Sequence, residues 1–92
     1  MKKGGDYMDI QIGVVTHYYD KINVAVIEVK AQPLKVGDTV KISGHDSEFT
    51  QTIQSLQIEH KQVPEVPVGE SAGMKVDKPV KAGDVLYLLT SK

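Results

Sequence analysis

Two short polar segments contain the residue types best suited to binding another molecule. The first is Tyr18, Tyr19 and Lys21, at the end of an apolar run near the amino terminus. Adjacent tyrosines beside a lysine can stack on nucleobases, at about 1–3 kcal/mol for each stacked base. The alternative is structural, because tyrosine is intermediate in its tendency to be buried. In that interpretation one ring caps the core and the other lies on the surface.

The second segment is Gln57, Glu59, His60 and Lys61, which follows a run rich in amide and hydroxyl side chains. One face of a strand with this composition is either exposed to water or in contact with a polar partner. The simpler interpretation is a solvated face of a sheet. The functional interpretation is a neutral, hydrogen-bonding surface for RNA or for a protein. It would extend into the proline-containing loop that follows, because loops on a rigid scaffold commonly carry binding residues.

The histidines offer little support for catalysis or metal binding. His17, His45 and His60 could bind zinc only if the fold brought them together, and nothing in their spacing does so. His45 precedes Asp46, a pairing compatible with acid–base chemistry. However, sequence neighbours in a turn rarely face each other, and no nucleophile has an evident partner. We therefore expect no metal, no cofactor, no catalytic residues and no enzymatic activity.

The charge balance narrows the class of partner. The 92 residues include eleven basic and twelve acidic ones, with a net charge of −1, and every basic residue is a lysine. Without arginine the chain lacks the guanidinium forks that recognise phosphate and guanine in a bidentate way. Sequence-specific DNA binding is therefore not expected, and near-zero charge gives no attraction to an anionic membrane. A protein partner is favoured, with RNA or tRNA as the alternative.

The length and the absence of cysteine indicate one small domain without disulfides. No apolar run approaches the roughly 20 residues that span a bilayer. The first residues, MKKGGDYMD, contain two lysines but no apolar stretch, so they do not form a signal peptide. The expected location is the cytoplasm. We expect residues 1–7 to form a flexible tail and residues 8–92 to form a single β-barrel domain.

The apolar pattern predicts strands and no long helix. Valine, isoleucine and threonine outnumber alanine and leucine, which favours strands, and no segment keeps an apolar stripe at helical spacing. In the longest strand the apolar alternation changes face after Ile53 and resumes at Leu56, which predicts a β-bulge near residues 54–55. A hairpin loop is expected at residues 20–23. The predicted strands are 10–16, 24–29, 40–42, 49–60, 72–76 and 85–89.

An octet pattern occurs twice, as PLKVGDTV at residues 33–40 and as PVKAGDVL at residues 79–86. Each copy precedes a strand, and a weaker variant occupies residues 67–72. Glycine permits a positive φ and aspartate accepts hydrogen bonds from turn N–H groups, so the pattern predicts structural turns. A phosphate-binding loop would need more glycines and a following lysine, and a calcium loop would need several oxygen ligands. The turn residues are Gly37, Asp38, Gly69, Gly83 and Asp84.

Taken in order, these motifs resemble the second domain of elongation factor Tu. The resemblance is carried by LKVGDTVKI, VPVGESAG and the final GDVL, and it extends from about Met8 to Leu89. The stretch GHDSEFTQTIQSLQIEHK looks like that of small stand-alone elongation-factor-like proteins of prokaryotes. The resemblance implies an all-β fold, a six-stranded closed antiparallel Greek-key barrel. A similar barrel also follows the catalytic domain of a peptidase-like family implicated in tRNA modification.

The resemblance also implies a contact face. In elongation factor Tu the domain helps to hold the aminoacyl end of tRNA, with regions that fall here at residues 19–23 and 57–61. The family's glycine-rich, arginine-bearing loop is replaced by residues 19–22, and its Glu and Arg fall at Gln57 and His60. The candidate binding residues are therefore Tyr18, Tyr19, Lys21, Gln57, Glu59, His60 and Lys61.

The function implied by the resemblance is a non-catalytic binding module. It would dock to a component of translation or tRNA metabolism. The alternative is an accessory protein-interaction subunit of a separately encoded enzyme. The chain contains no G-x-x-x-x-G-K-[ST] loop, so GTP binding is not expected.

Overall fold

The computed structural model describes residues 7–44 and 48–91, which form ten β-strands. The all-β prediction is confirmed for this part of the chain, and no helix able to span a membrane occurs in it. The six longer strands are β1 (Tyr7–Tyr19), β2 (Val24–Val29), β4 (Thr39–Ser43), β5 (Glu48–Thr52), β9 (Ser71–Lys75) and β10 (Val85–Ser91). The four shorter strands are β3 (Leu34–Lys35), β6 (Leu56–Ile58), β7 (Lys61–Gln62) and β8 (Glu65–Val66).

The strands form two antiparallel sheets. The larger has eight strands in the order β5-β4-β10-β1-β2-β9-β6-β7, and the smaller pairs β3 with β8. The closed six-stranded Greek-key barrel is not confirmed, because no ladder joins the two ends of the larger sheet in the described residues. The reason lies in the predicted long strand 49–60. Its first half pairs with β4, its second half pairs with β9, and residues 53–55 belong to neither ladder.

Alternating apolar residues from the longer strands and their connections fill one core. The side chains with the least exposure include Ile27, Leu34, Leu56, Met74 and Leu86. β1 reaches partners on both sides, since Gly13 lies opposite Val29 of β2 and Leu86 of β10. A Cβ at Gly13 would lie 2.7 Å from the Glu28 carbonyl oxygen, so only glycine fits this close approach without movement of the backbone.

Gln51 belongs to the run of amide and hydroxyl side chains that was interpreted as a solvated face, but it is buried. It lies on the inward face of β5 between the buried Phe49 and Ile53, and its side chain is 6% exposed. Its Nε2 donates to the Lys75 carbonyl oxygen at 2.8 Å, and its Oε1 accepts from the Asp77 backbone N–H at 2.9 Å. The amide thus links β5 to the end of β9, two strands that share no ladder.

The octets form turns with matching geometry. Gly37 and Gly83 each have φ of 99°, and Gly69 has φ of 94°, a region that side chains with a Cβ disfavour. Asp38 Oδ2 accepts from the Lys35 N–H at 3.2 Å, and Asp84 Oδ2 accepts from the Lys81 N–H at 2.9 Å. Aspartate and glycine therefore have the same local roles in both full copies.

Several predicted boundaries differ from the structure, and two of the differences concern the predicted tail and the candidate site. β1 already includes Tyr7, which the sequence assigned to a tail, and residues 1–6 lie outside the described part of the chain. The predicted long strand ends at Ile58, because Glu59 and His60 turn the chain into β7. His45 and Asp46 also lie outside the described residues.

Candidate functional site

A groove of about 530 Å³ lies on the outer side of the larger sheet. Its size is within the roughly 300–1,000 Å³ typical of ligand pockets. Most of its lining is apolar, and the polar side chains come from one hairpin and from the start of β9. The lining residues are Tyr19, Ile22, Val24, Val26, Gln57, Glu59, His60, Ser71, Ala72 and Gly73.

Gly73 forms the floor of the groove, at the centre of the neighbouring strands β2, β9 and β6. It lies opposite Val26 of β2 on one side and Gln57 of β6 on the other. A Cβ at Gly73 would meet only the Val24 Cγ1, at 3.1 Å, so the absence of a side chain here leaves open space above the sheet. The outward-facing Val24 and Val26 then form an apolar wall, because β2 buries the alternate residues Ala25 and Ile27.

A β-bulge brings Tyr19 to this wall. The pairing of β1 with β2 shifts between Val15 and His17, and the hydroxyl of Thr16, the extra residue, donates to the Val26 carbonyl oxygen at 3.3 Å. The shift changes which residues face outward. Tyr18 packs against the core, whereas Tyr19 is 51% exposed and its ring stacks with that of His17 at a centroid distance of 6.4 Å.

The opposite wall is a two-residue hairpin turn in an unfavourable backbone conformation. Ile58 pairs with Lys61, and the residues between them, Glu59 and His60, have φ of 52° and 68°. Two successive positive φ values are typical of a type I′ turn, which normally has Asn-Gly at these positions. A left-handed residue other than glycine costs about 1–2 kcal/mol. Strain of this kind is often concentrated at functional sites.

The structure gathers four of the seven predicted binding residues around the groove: Tyr19, Gln57, Glu59 and His60. Tyr18 is not among the lining residues, and its hydroxyl donates to the Asn23 Oδ1 at 3.4 Å. Lys21 and Lys61 are exposed and do not line the groove either. Whether any of the seven binds a ligand stays a prediction.

Several lining residues were missed by the sequence interpretation: Ile22, Val24, Val26, Ser71, Ala72 and Gly73. The available signal was the first part of β2, where the outward-facing Val24 and Val26 are apolar like the buried residues between and after them. An outward apolar face beside a glycine in the neighbouring strand is a pattern that indicates an uncovered depression.

The polar residues of the groove include types that occur in catalytic groups. Glu59, His60 and Ser71 all line it, but among the described residues no hydrogen bond joins any two of these side chains. An activated serine needs a base within hydrogen-bond reach. Within residues 7–44 and 48–91, no cluster of three or more His, Asp or Glu is arranged to hold a metal ion.

The chain is similar to proteins described as proteases. An uncharacterized protease of Methanocaldococcus jannaschii is 40% identical over 84 residues, which cover 90% of this chain and 20% of that protein. This chain therefore spans about a fifth of the curated relative that it matches. No protein-family model matches the chain.

Solved structures with the same fold come from Geobacillus thermoleovorans. One is the C-terminal domain of a protein described as a U32 peptidase. This chain superposes on it with a TM-score of 0.79 at 19% sequence identity, and the match covers 96% of this chain and 97% of that domain. A selenomethionine variant of the C-terminal domain has a TM-score of 0.77 at 20% identity, covering 83% of this chain and 95% of the domain. At these identities the likeness shows a shared fold.

The identification with the second domain of elongation factor Tu is therefore wrong, and so is the translation-related function that followed from it. The motifs that suggested it are those of the turns, whose glycines and aspartates have structural roles in this chain. The comparisons show instead a sequence match to part of a protein described as a protease, and a fold shared with the C-terminal domain of a protein described as a U32 peptidase.

Proposed function

We propose that this chain is a non-catalytic accessory domain of a U32 peptidase-like system and presents the groove as its binding surface. One observation carries the proposal. Nearly the whole chain aligns with a fifth of a much longer protein described as a protease. A segment that matches only a small part of a protease is more readily an attached domain than the region that contains the complete catalytic machinery.

The geometry of the groove supports a binding role. Its floor and one wall are apolar, and its polar residues lie at the hairpin turn and the start of β9. This distribution is typical of a recognition site, in which apolar surface supplies affinity and a few polar groups supply orientation. As parts of the same proposal, the direct partner is a protein and the location is the cytoplasm.

We further propose that the larger sheet closes into a barrel at the junction of β5 and β6. Residues 53–55 lead directly from β5, one edge of the sheet, to β6, which lies beside the other edge strand, β7. The Gln51 amide then bridges β5 to residues 75–77. Closure would hold the two walls of the groove at a fixed distance.

The function is tested with variants of the Methanocaldococcus jannaschii relative. Three proteins are compared for cleavage of fluorescein-labelled casein: the full-length relative, a form lacking the 84-residue matching segment, and a chimera in which this chain replaces that segment. We expect the deletion to lower cleavage and the chimera to restore it. Full-length protein that does not cleave casein, a deletion as active as the full-length form, or a folded chimera no better than the deletion would contradict the proposal.

A further inference from the structure

Two exposed apolar side chains lie together at the groove. Four large hydrophobic residues among those described are highly exposed, and two of them, Tyr19 and Ile22, at 51% and 58%, lie together at the groove. Both extend from the β1–β2 hairpin beside the outward-facing Val24 and Val26. Together these side chains offer apolar contact to a ligand in the groove, and polar residues border them.

The charge of the groove limits what that group can be. Of the ten described residues that line it, Glu59 alone carries a formal charge at pH 7 with histidine neutral. Lys21 and Lys61 are exposed next to lining residues, but the lining itself offers a carboxylate and no lysine. A ligand with a cationic group next to an apolar side chain fits both sides of the groove. The cation would contact Glu59 in the β6–β7 turn, and the apolar side chain would contact the wall formed by Val24 and Val26.

The backbone of the turn places Glu59 and His60 at the rim of the groove. Glu59 and His60 are both left-handed, although a flexible or glycine-containing turn would make the same connection with less strain. The connection between β6 and β7 therefore retains two bulky polar side chains at a position where the backbone disfavours them. Backbone strain of this kind is often found at ligand-binding positions, which supports a binding role for the two side chains at the rim.

We propose that the groove binds an extended polypeptide segment, with one bulky apolar side chain against Val24, Val26 and Gly73 and an adjacent lysine or arginine against Glu59. The inference rests on the proposed accessory function, since a domain attached to a peptidase-like region encounters polypeptide. It assigns a specificity to the site, namely an apolar residue next to a basic one.

The test uses the purified, isotope-labelled chain and short synthetic peptides. The probe is acetyl-Gly-Ser-Phe-Lys-Ser-Gly-amide, and the comparison peptides have Ser in place of Phe or Ser in place of Lys. Backbone ¹H–¹⁵N shifts are followed during titration. We expect shifts at residues 22–26, 57–60 and 71–73, and we expect weaker binding of both comparison peptides. Absence of shifts, shifts elsewhere, or equal binding of the three peptides would overturn the inference.

Two substitutions separate the contributions of charge and shape. Glu59→Gln should weaken the Phe-Lys peptide about two- to fivefold, as for an exposed ion pair, and leave the lysine-free peptide unchanged. The matched control is Glu65→Gln, an exposed glutamate on the smaller sheet, which should change neither. Gly73→Val should reduce binding of every peptide at least tenfold because it fills the floor.

Further outcomes keep the inference testable. If Gly73→Val disturbs the fold, Val26→Ser removes part of the apolar wall and should also weaken binding. A single-stranded oligonucleotide that shifts the groove amides more strongly than the peptide would show a nucleic-acid surface and overturn the inference. Peptide binding without activity of the chimera would refute the accessory function alone. An active chimera without peptide binding would refute the groove's assignment alone.

Discussion

Gln51→Leu should destabilise the fold by removing two side-chain hydrogen bonds that join β5 to residues 75–77. The substitution preserves the approximate size of a side chain that is 6% exposed. It deletes the hydrogen bond to the Lys75 carbonyl oxygen and the one from the Asp77 N–H. Because β5 and β9 share no ladder, no neighbouring backbone bond replaces them.

The magnitude follows from the two lost bonds. Each neutral hydrogen bond contributes about 0.5–1.5 kcal/mol, and more when its former partner is left buried without a bond. Both bonds are partly buried, so we expect a total loss of about 2 kcal/mol. With a urea m-value of about 1 kcal/mol/M, appropriate to a small domain, the unfolding midpoint should fall by about 2 M.

The assay is urea unfolding followed by circular dichroism, with Gln54→Leu as the matched control. Gln54 belongs to the same segment but is exposed, so its substitution should change the free energy of unfolding by less than about 0.5 kcal/mol. Equal midpoints for the two variants would refute the role assigned to the Gln51 amide.

A second substitution at the same site tests which hydrogen bonds matter. Gln51→Glu keeps an acceptor for the Asp77 N–H, but its carboxyl can donate to the Lys75 carbonyl oxygen only when protonated. The folded state therefore holds that proton more tightly than the unfolded chain does. Stability relative to the original protein should be regained at low pH and lost as the pH rises. A difference that does not depend on pH would contradict the assigned geometry.

The remaining predictions concern glycines and turns. Gly13→Ala should lower the free energy of unfolding by about 1–3 kcal/mol, because its Cβ would lie 2.7 Å from a backbone oxygen. Gly73→Ala should change it by less than about 1 kcal/mol, because its Cβ meets only a movable methyl group. Urea unfolding curves of the two variants compare these effects. His60→Gly should raise the free energy of unfolding by about 1 kcal/mol by relieving the left-handed strain, measured by thermal unfolding, and no gain would contradict the strain. Asp84→Ala should lower the free energy of unfolding by about 1–2 kcal/mol, and Asp38→Ala by less than about 1 kcal/mol, because only Asp84 is buried. A larger loss for Asp38→Ala than for Asp84→Ala in urea unfolding would contradict the roles assigned to these turns.

Much of the all-β fold could be predicted because its determinants are local. The polar run at residues 20–23 indicated the first hairpin loop. The change of face after Ile53 located the irregularity at residues 53–55, but the prediction of a bulge within one strand differs from the structure, in which β5 ends at Thr52 and β6 begins at Leu56. The short strands β3, β7 and β8 could not be predicted, because two residues give no periodic signal and their pairing depends on distant partners.

The candidate site could be predicted only in part. Tyr19, Gln57, Glu59 and His60 were identified as polar binding candidates, and the structure places them at one groove. Its floor and apolar wall depend on which residues oppose Gly73 across two ladders, which a single sequence does not reveal. The family was misidentified for a related reason. Glycine–aspartate turns before strands have a local structural cause, so the same motif can arise in β-domains of different function.

The most direct test of an accessory domain that binds polypeptide is a comparison of two chimeras of the Methanocaldococcus jannaschii relative. One carries this chain unchanged and the other carries Gly73→Val, and casein cleavage is measured over a range of casein concentrations. The account predicts that Gly73→Val raises KM for casein and leaves kcat unchanged, because the groove contributes to holding the substrate and not to the chemical step. Identical KM values for the two folded chimeras would contradict it.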